Sequence, residues 1–513
     1  MIKISEKINV LFIITDQLRA DHLECAGNPV IKTPNLDKLA KDGLRFTRFY
    51  CSNPMCMPNR ATFFTGLYPS LHGVRCNGIN LNTKIPTITQ TLHDAGYHTA
   101  SMGKIHLNWS APGYSRKYKS VECSTDWLFK PKNKRPKIPI PYYGLDEVEI
   151  VIGHGDAVSG HYLDWLEEKT KGPGILKDLK ARSARAFEKI YYDTPLTKDL
   201  YQTTYVTERT IAFLKRFSDG KYGDKPFFMH CSYPDPHHPV CPPSPYRDMY
   251  KPEEINLPPA YIESLEDHEL IGPALRNPII AAMVLRKSTE EEIRKFLAYT
   301  YGAITMIDHG VGQILEALKS LGLENNTMVI FTSDHGDLGG DYKLLLKGPA
   351  PYKGILNIPL IWKIPGFTKE GTITDSLAST IDLPTTILSL LNINKKLYPH
   401  EMQGYDLTPI LKDPDMKVRD HVIIEEDEEL PMMKKEKQAN IRLRTMITET
   451  HRISISQGQE HFGEIIDLKN DLLEINNLWF DENSKELRFK LLNKLTHELL
   501  NLQSRLPKKQ ALT

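Results

Sequence analysis

Short apolar runs alternate with amphipathic stretches along most of this chain. Asn9–Thr15 (NVLFIIT), Pro226–Ser232 (PFFMHCS), Thr327–Thr332 (TMVIFT) and Ile358–Ile364 (IPLIWKI) are nearly continuous in apolar character, the pattern of strands buried on both faces. Helical patterns lie between them. One opens at Thr33-Pro34-Asn35 and carries Leu36, Leu39 and Leu44, followed by Phe46 and Phe49. Another spans Thr289–Leu321, with Ile293, Phe296, Leu297, Ile304, Ile307, Val311, Ile314, Leu315 and Leu318 at helical spacing. Strand alternating with helix predicts an α/β fold, a large and mostly parallel sheet covered by helices on both faces. Residues 108–200 show no sustained periodicity and are rich in Lys, Pro, Gly and Tyr, which reads as an insertion or as long active-site loops. Residues 233–262 are dense in proline and are expected to be loop. Beyond about Lys412 the character changes: Val422–Glu425, Arg442–Glu449 and His451–Ser456 read as short strands and Leu487–Leu500 as a closing amphipathic helix. Two domains are therefore predicted, a catalytic one over 1–412 and a smaller C-terminal α+β one over 413–513 with a short antiparallel sheet.

Composition narrows the picture. Lys plus Arg (65) nearly cancels Asp plus Glu (64) over 513 residues, so bulk charge offers nothing to a nucleic acid. With 40% hydrophobic and 25% charged residues the proportions are globular, which excludes disordered and collagenous chains. No apolar run approaches the roughly 18 residues of a membrane span. The opening MIKISEKINV lacks the apolar stretch of a signal peptide. Seven cysteines without a C-x-x-C pair fit a reducing compartment. The expectation is a cytoplasmic enzyme with no nucleic-acid or membrane partner.

The most specific segment runs Cys56-Met57-Pro58-Asn59-Arg60-Ala61-Thr62-Phe63-Phe64-Thr65-Gly66. Cysteine before proline at a helix start is, alone, a small buried thiol in a favoured first turn. As a whole the string matches C-x-P-x-R-x-x-x-x-T-G and resembles the signature of type I, formylglycine-dependent sulfatases in the alkaline-phosphatase-like superfamily. There the cysteine is oxidised to an aldehyde by a separate maturation enzyme, a partner the resemblance implies. The hydrated aldehyde would offer one hydroxyl to attack sulfur and a second to expel sulfate later. A helix N-terminus favours the developing negative charge, and Arg60 would stabilise the diol.

Asp16-Gln17 follows the first strand and Asp334-His335 follows VIFTS. Acidic residues at the carboxyl ends of strands lie where α/β sheets bind ligands, although each alone can cap a turn or helix. With Cys56, the resemblance makes Asp16, Gln17, Asp334 and His335 ligands of one divalent metal. Calcium comes first; manganese, a transition metal that an imidazole among oxygens suits, and magnesium are alternatives. Asp337 is read as a turn residue. Gly103-Lys104-Ile105-His106-Leu107 resembles the family's G-K-W-H-L segment, with Lys104 and His106 on one face of an extended chain. Lys104 would bridge the sulfate and the diol, and His106 would take the proton whose loss eliminates sulfate. Pro234-Asp235-Pro236-His237-His238-Pro239 resembles P-H-x-P, pointing to His237, with His238 left as the structural or exposed histidine. Lys347 matches the family lysine after the second metal segment, ahead of Lys343. His237 and Lys347 would grip sulfate oxygens and help the alcohol leave. Asn77 stands where related phosphonate hydrolases contact substrate, or forms an Asn-Gly turn. Cys51 reads as a buried thiol able to trap Cys56 in immature protein. Glu464–Leu478 (EIIDLKNDLLEINNL) resembles the family's C-terminal strand and turn.

The expected activity is hydrolysis of a small sulfate ester such as a sulfated sugar. A phosphonate monoester or phosphodiester hydrolase sharing the nucleophile is the near alternative. An inactive binder of sulfated glycans is the remote one.

Overall fold

A computed structural model describes residues 8–111, 119–170, 189–262, 286–399, 401–429 and 440–504. Its centre is β1 (Asn9–Asp16), in which every residue is buried, as the unbroken apolar run requires. The other strands are β2 (Leu44–Phe46), β3 (Phe49–Tyr50), β4 (His98–Gly103), β5 (Glu147–His154), β6 (Ala157–Gly160), β7 (Phe227–Pro236), β8 (Thr327–Ser333), β9 (Leu360–Lys363), β10 (Thr372–Thr374) and β11 (Ala378–Ser379). The C-terminal part adds β12 (His421–Glu429), β13 (Asn440–Thr448), β14 (His451–Ser456) and β15 (Gly463–Asp467). Nine strands form one mixed sheet in the order β10-β2-β9-β8-β1-β7-β4-β5-β6. Its heart, β8-β1-β7-β4-β5, is parallel throughout, while β9 and β6 join it antiparallel. β12 to β15 make a separate antiparallel sheet of four strands.

The long helical pattern becomes a helix over Glu290–Ser320, begun by a capping box of Thr289 and Glu292. The closing helix is Lys485–Asn501. Two expectations change. The aperiodic stretch 108–200 contributes β5 and β6 to the main sheet. It was illegible because β5 mixes Glu147, Glu149, Gly153 and His154 into its apolar run and lies next to the edge. The proline-rich segment after Ser232 continues β7 to Pro236 before turning to loop. Residues 112–118, 171–188 and 263–285, parts of the stretches 108–200 and 240–290 that the sequence suggests as substrate-selecting loops, lie outside the described residues.

The small sheet is fastened to the large one by a buried guanidinium. Arg452 on β14 pairs with Glu464 on β15 and donates from Nε to Glu474 Oε1 at 3.0 Å. Those carboxylates in turn accept the Tyr352 hydroxyl at 3.1 Å and the Lys353 backbone N–H at 2.6 Å. The guanidinium also lies 5.0 Å from the centre of the Tyr352 ring. Removing the cation strands two buried carboxylates, so Arg452→Met is expected to lose about 3–5 kcal/mol in denaturant unfolding.

β12 presents five acids in succession, Glu425 to Glu429. On one face, register sets Glu425 opposite Arg444 and Asp427 opposite Arg442, while Glu429 pairs with Arg75. On the other, Glu426 faces Leu443, is 1% exposed, and has an Oε1 without a hydrogen-bond partner. Burial first, then the Glu428 and Asp427 carboxylates, hold the Glu426 carboxyl well above its usual range. The folded state therefore binds a proton that the unfolded chain releases above about 4.5, and stability falls as pH rises beyond that value. Measured by denaturant unfolding, Glu426→Gln should be the more stable protein at alkaline pH, with a gap that widens by up to about 1.4 kcal/mol per pH unit until the carboxyl ionises.

Candidate active site

The parallel strands deliver their chemistry at one end. Thr15 is in register with Ser333, so Asp16 and Asp334 leave β1 and β8 side by side. Gly103 pairs with Ser232, which brings Lys104 beside the end of β7 and His237. Gly103 has φ +108°, and a Cβ there would lie 1.8 Å from the Ser232 carbonyl oxygen, so only glycine permits this approach. His154 closes β5.

Above them sits the helix Cys56–Thr65, every residue buried. Phe63 stacks on Phe12 of β1 with centroids 4.2 Å apart and also faces His230 of β7. That packing places the helix N-terminus over the ends of β1 and β8. Cys56 Sγ lies 3.1 Å from His335 Nε2 and 3.7 Å from Asp16 Oδ1. Asp16, Cys56, Asp334 and His335 each offer an atom within 4.8 Å of the others. His335 Nδ1 lies 3.0 Å from the Gly336 carbonyl oxygen, so it donates there and aims Nε2 into the group.

The electrostatics are those of an anionic centre seeking a cation. Burial opposes ionisation of Asp16, yet Lys104 above all holds its carboxyl well below the usual range. His335 is pushed up to about 9: burial works against the charge, and Asp334 leads the groups that overcome it. Cys56 is lowered although burial and Asp16 oppose that, because Lys104, Lys347 and His335 favour the thiolate. Imidazolium in the middle of two carboxylates and a sulfur plays the part a metal cation would take, so these four residues suit one.

Each expected residue can now be located. Arg60 donates from Nε to Asp334 Oδ2 at 2.8 Å and from Nη1 to the Lys104 carbonyl and Ser232 Oγ, both at 2.9 Å. Its Nη2 is buried and unpartnered, one donor left for a ligand. Lys104 pairs with Asp16 and reaches His154 Nε2 at 2.8 Å. Lys347 donates to Gln17 Oε1 at 2.9 Å and to His237 Nε2 at 3.0 Å. His237 Nδ1 lies 2.6 Å from the His238 carbonyl, so that nitrogen carries the proton. Gln17 donates from Nε2 to Asp337 Oδ2 at 2.6 Å, which gives Asp337 a holding role besides its turn bond to Gly339. His238 belongs to this cluster as well, 3.2 Å from Gln17 Nε2 and stacked on His237.

Some details differ from the sequence expectation. β4 stops at Gly103, and His106 has φ +61°, so the extended chain that put Lys104 and His106 on one face is not what positions them. Asn77 accepts the Met57 N–H at 3.0 Å and so caps the Cys56 helix from outside. Lys343 lies over the Tyr261 ring, 5.9 Å from its centre, while Lys347 is in the cluster. Cys51 is a free buried thiol, as is every described cysteine that is not Cys25.

His154 was not anticipated. It stacks on His237 with centroids 3.7 Å apart and lies 3.5 Å from Asp16 Oδ2. Burial and Lys104 lower it to about 4, so it is neutral and accepts from Lys104. Nothing local in GHGDA distinguishes it from a turn histidine; its role arises only from β5 lying next to β4.

Comparison with known proteins supplies the family. The sulfatase family profile matches residues 8–393, and the N-sulphoglucosamine sulphohydrolase C-terminal profile matches 350–501. The chain is 30% identical over 426 residues to an arylsulfatase of Clostridium perfringens, covering 81% of each chain. It is 29% identical over 428 residues to a multifunctional alkaline phosphatase superfamily protein of Trinickia caryophylli, covering 79% of this chain and 77% of that one. In fold it is similar to the phosphonate monoester hydrolase of Agrobacterium radiobacter, with TM-score 0.76, 24% identity and coverage of 99% and 98%. It is also similar to a protein solved with its substrate D-glucosamine-2-N,6-O-disulfate, with TM-score 0.71, 19% identity and coverage of 98% and 100%. Among the described residues no helix is long and apolar enough to cross a membrane. A profile match through the whole large sheet and relatives aligned over four-fifths of the chain establish that this protein belongs to the sulfatase family, hydrolases acting on sulfuric esters.

Proposed function

We propose that the protein hydrolyses a small sulfate ester, such as a sulfated sugar, with a formylglycine made from Cys56. The observation that carries this reading is Cys56 at a buried helix N-terminus with Asp16, Asp334 and His335 converging on it. Asp16, Asp334, His335 and the oxygen that replaces Cys56 Sγ would hold one divalent cation, calcium in the first instance with manganese or magnesium as alternatives. When bound, the cation would supply positive charge against the non-bridging sulfate oxygens. Gln17 Oε1, which accepts from Lys347 with one of its two lone pairs, would join these ligands and at the same time aim that lysine.

The chain's own residues account for the rest. Lys104, Lys347 and the free Nη2 of Arg60 neutralise the three sulfate oxygens as charge builds. One hydroxyl of the hydrated residue 56, passing its proton to the Asp16 carboxylate that accepts from the residue 56 side chain, attacks sulfur, and the bond from sulfur to the alcohol oxygen breaks. Lys347, held by neutral His237, gives that oxygen its proton. His106 then takes the proton of the second hydroxyl, the carbon–oxygen bond to sulfate breaks, and the aldehyde returns. Burial, Lys104 and Arg60 keep His106 well below its usual range, hence neutral and able to act as a base. Asn77 stays in this reading as a group at the rim of the helix N-terminus.

The test is turnover of matched aryl sulfate, phosphate diester and phosphonate monoester by protein co-expressed with a formylglycine-generating enzyme, with conversion of Cys56 checked by peptide mass. Aryl sulfate is expected to be preferred, activity should vanish with a chelator and return with a divalent ion, and Cys56→Ala should lose roughly 10⁴–10⁶-fold in kcat. Activity retained in Cys56→Ala would remove the nucleophile assignment, and preference for a phosphorus ester would replace the substrate class.

A further inference from the structure

His106 stands in a backbone conformation that a side chain other than glycine's disfavours, φ +61°. What holds it there is a buried carboxylate from a different segment. Glu122, 2% exposed, accepts the His106 N–H at 2.8 Å on Oε2. Its Oε1 accepts the Leu107 and Asn108 N–H groups, both at 3.1 Å, and the Tyr142 hydroxyl at 2.7 Å. Three successive backbone N–H groups turned toward one anion form a concave nest, which no local pairing of residues 106–108 would satisfy.

The two segments are laced together further along. Ser120 Oγ donates to the Trp109 carbonyl at 2.6 Å and accepts the Glu122 N–H at 3.0 Å, and Ser124 N–H donates to the Ser110 carbonyl at 2.8 Å. The His106 ring itself is held loosely by comparison. Its Nε2 lies 3.3 Å from Ser110 Oγ, and its Nδ1 is buried without a partner. The imidazole is therefore aimed through its backbone, and the backbone is aimed by Glu122.

We propose that Glu122 is a positioning residue for the step in which sulfate leaves residue 56, acting through His106. This rests on the formylglycine reading above. The step it governs balances without any further reactant: His106 accepts the proton of the free hydroxyl, that oxygen's electron pair forms the aldehyde double bond, and sulfate departs with the electrons of the carbon–oxygen bond. The Glu122 carboxylate bonds only the N–H groups of residues 106–108 and the Tyr142 hydroxyl, none of which has a part in the attack on sulfur in this reading, so that step should not depend on it.

That separation gives a kinetic signature that general loosening of the fold would not produce. For Glu122→Gln, which keeps the shape but replaces one acceptor oxygen by an NH2 facing N–H donors, kcat should fall by about 10–100-fold. KM should fall with it, because kcat/KM reports only the steps through sulfur–oxygen cleavage. The sulfated residue 56 should then accumulate, seen as a burst of alcohol equal to the enzyme present and as a sulfate adduct on that peptide by mass spectrometry. kcat should also become the same for aryl sulfates with good and poor leaving groups. Tyr142→Phe, which removes one donor to the same carboxylate, should shift all these readouts in the same direction by less.

Equal loss in kcat and kcat/KM with no adduct, or full activity in both variants, would overturn the inference. Wild-type protein and Cys56→Ala run alongside separate the two levels. If Cys56→Ala is active, the formylglycine reading has failed. If it is dead while Glu122→Gln accumulates no adduct, only the role of Glu122 has.

Discussion

Two carboxylates side by side at the ends of adjacent parallel strands are the constraint around which this molecule is arranged. The register of β1 on β8 leaves Asp16 and Asp334 no other place, and both are fully buried. Unpaired, such a pair would be prohibitively expensive to desolvate. Arg60 is bonded to one and Lys104 to the other, each fully or nearly buried itself. The cations come from a helix and a strand end far away in sequence, so compensating these charges dictates where that helix and that strand must lie.

The helix bearing residue 56 answers to the same constraint from above. Its fit depends on apolar contact, Phe63 on Phe12 and His230, while its polar side supplies Arg60 and Asn59 to Asp334. One element thus couples hydrophobic packing to the electrostatics of the site. Its Met57 N–H meets the Asn77 side chain, and residue 56 stands at the end of the helix that favours negative charge. The small sheet is held by a comparable economy of charge: Arg452 gathers two carboxylates that also bind the segment following Lys347.

A feature common to both ends of the site is that its flexible, basic side chains are aimed by others. Lys347 is set by Gln17 and His237, Gln17 by Asp337, and His106 through the nest around Glu122. Lysine and histidine hold their functional position only where such partners have removed their rotamer freedom.

Much of this was readable in one dimension. Fully buried strands and long amphipathic helices write their burial into composition, because a parallel strand must be apolar on both faces and a helix on one. Hence β1, β8 and the helix Glu290–Ser320 were legible nearly to the residue. The motif around Cys56 was legible too, since a cysteine, a helix start and an arginine one turn on are all local. Whatever depends on neighbours across the sheet was not. His154 gains its place from the pairing of β5 with β4, Asn77 from meeting a helix end, and Glu122 from a loop folding over residues 106–108. His106 shows the limit most plainly: the sequence by itself determined that a histidine follows Lys104, but its orientation was decided by a left-handed backbone that only a distant carboxylate makes favourable, an interaction with no sequence period to betray it.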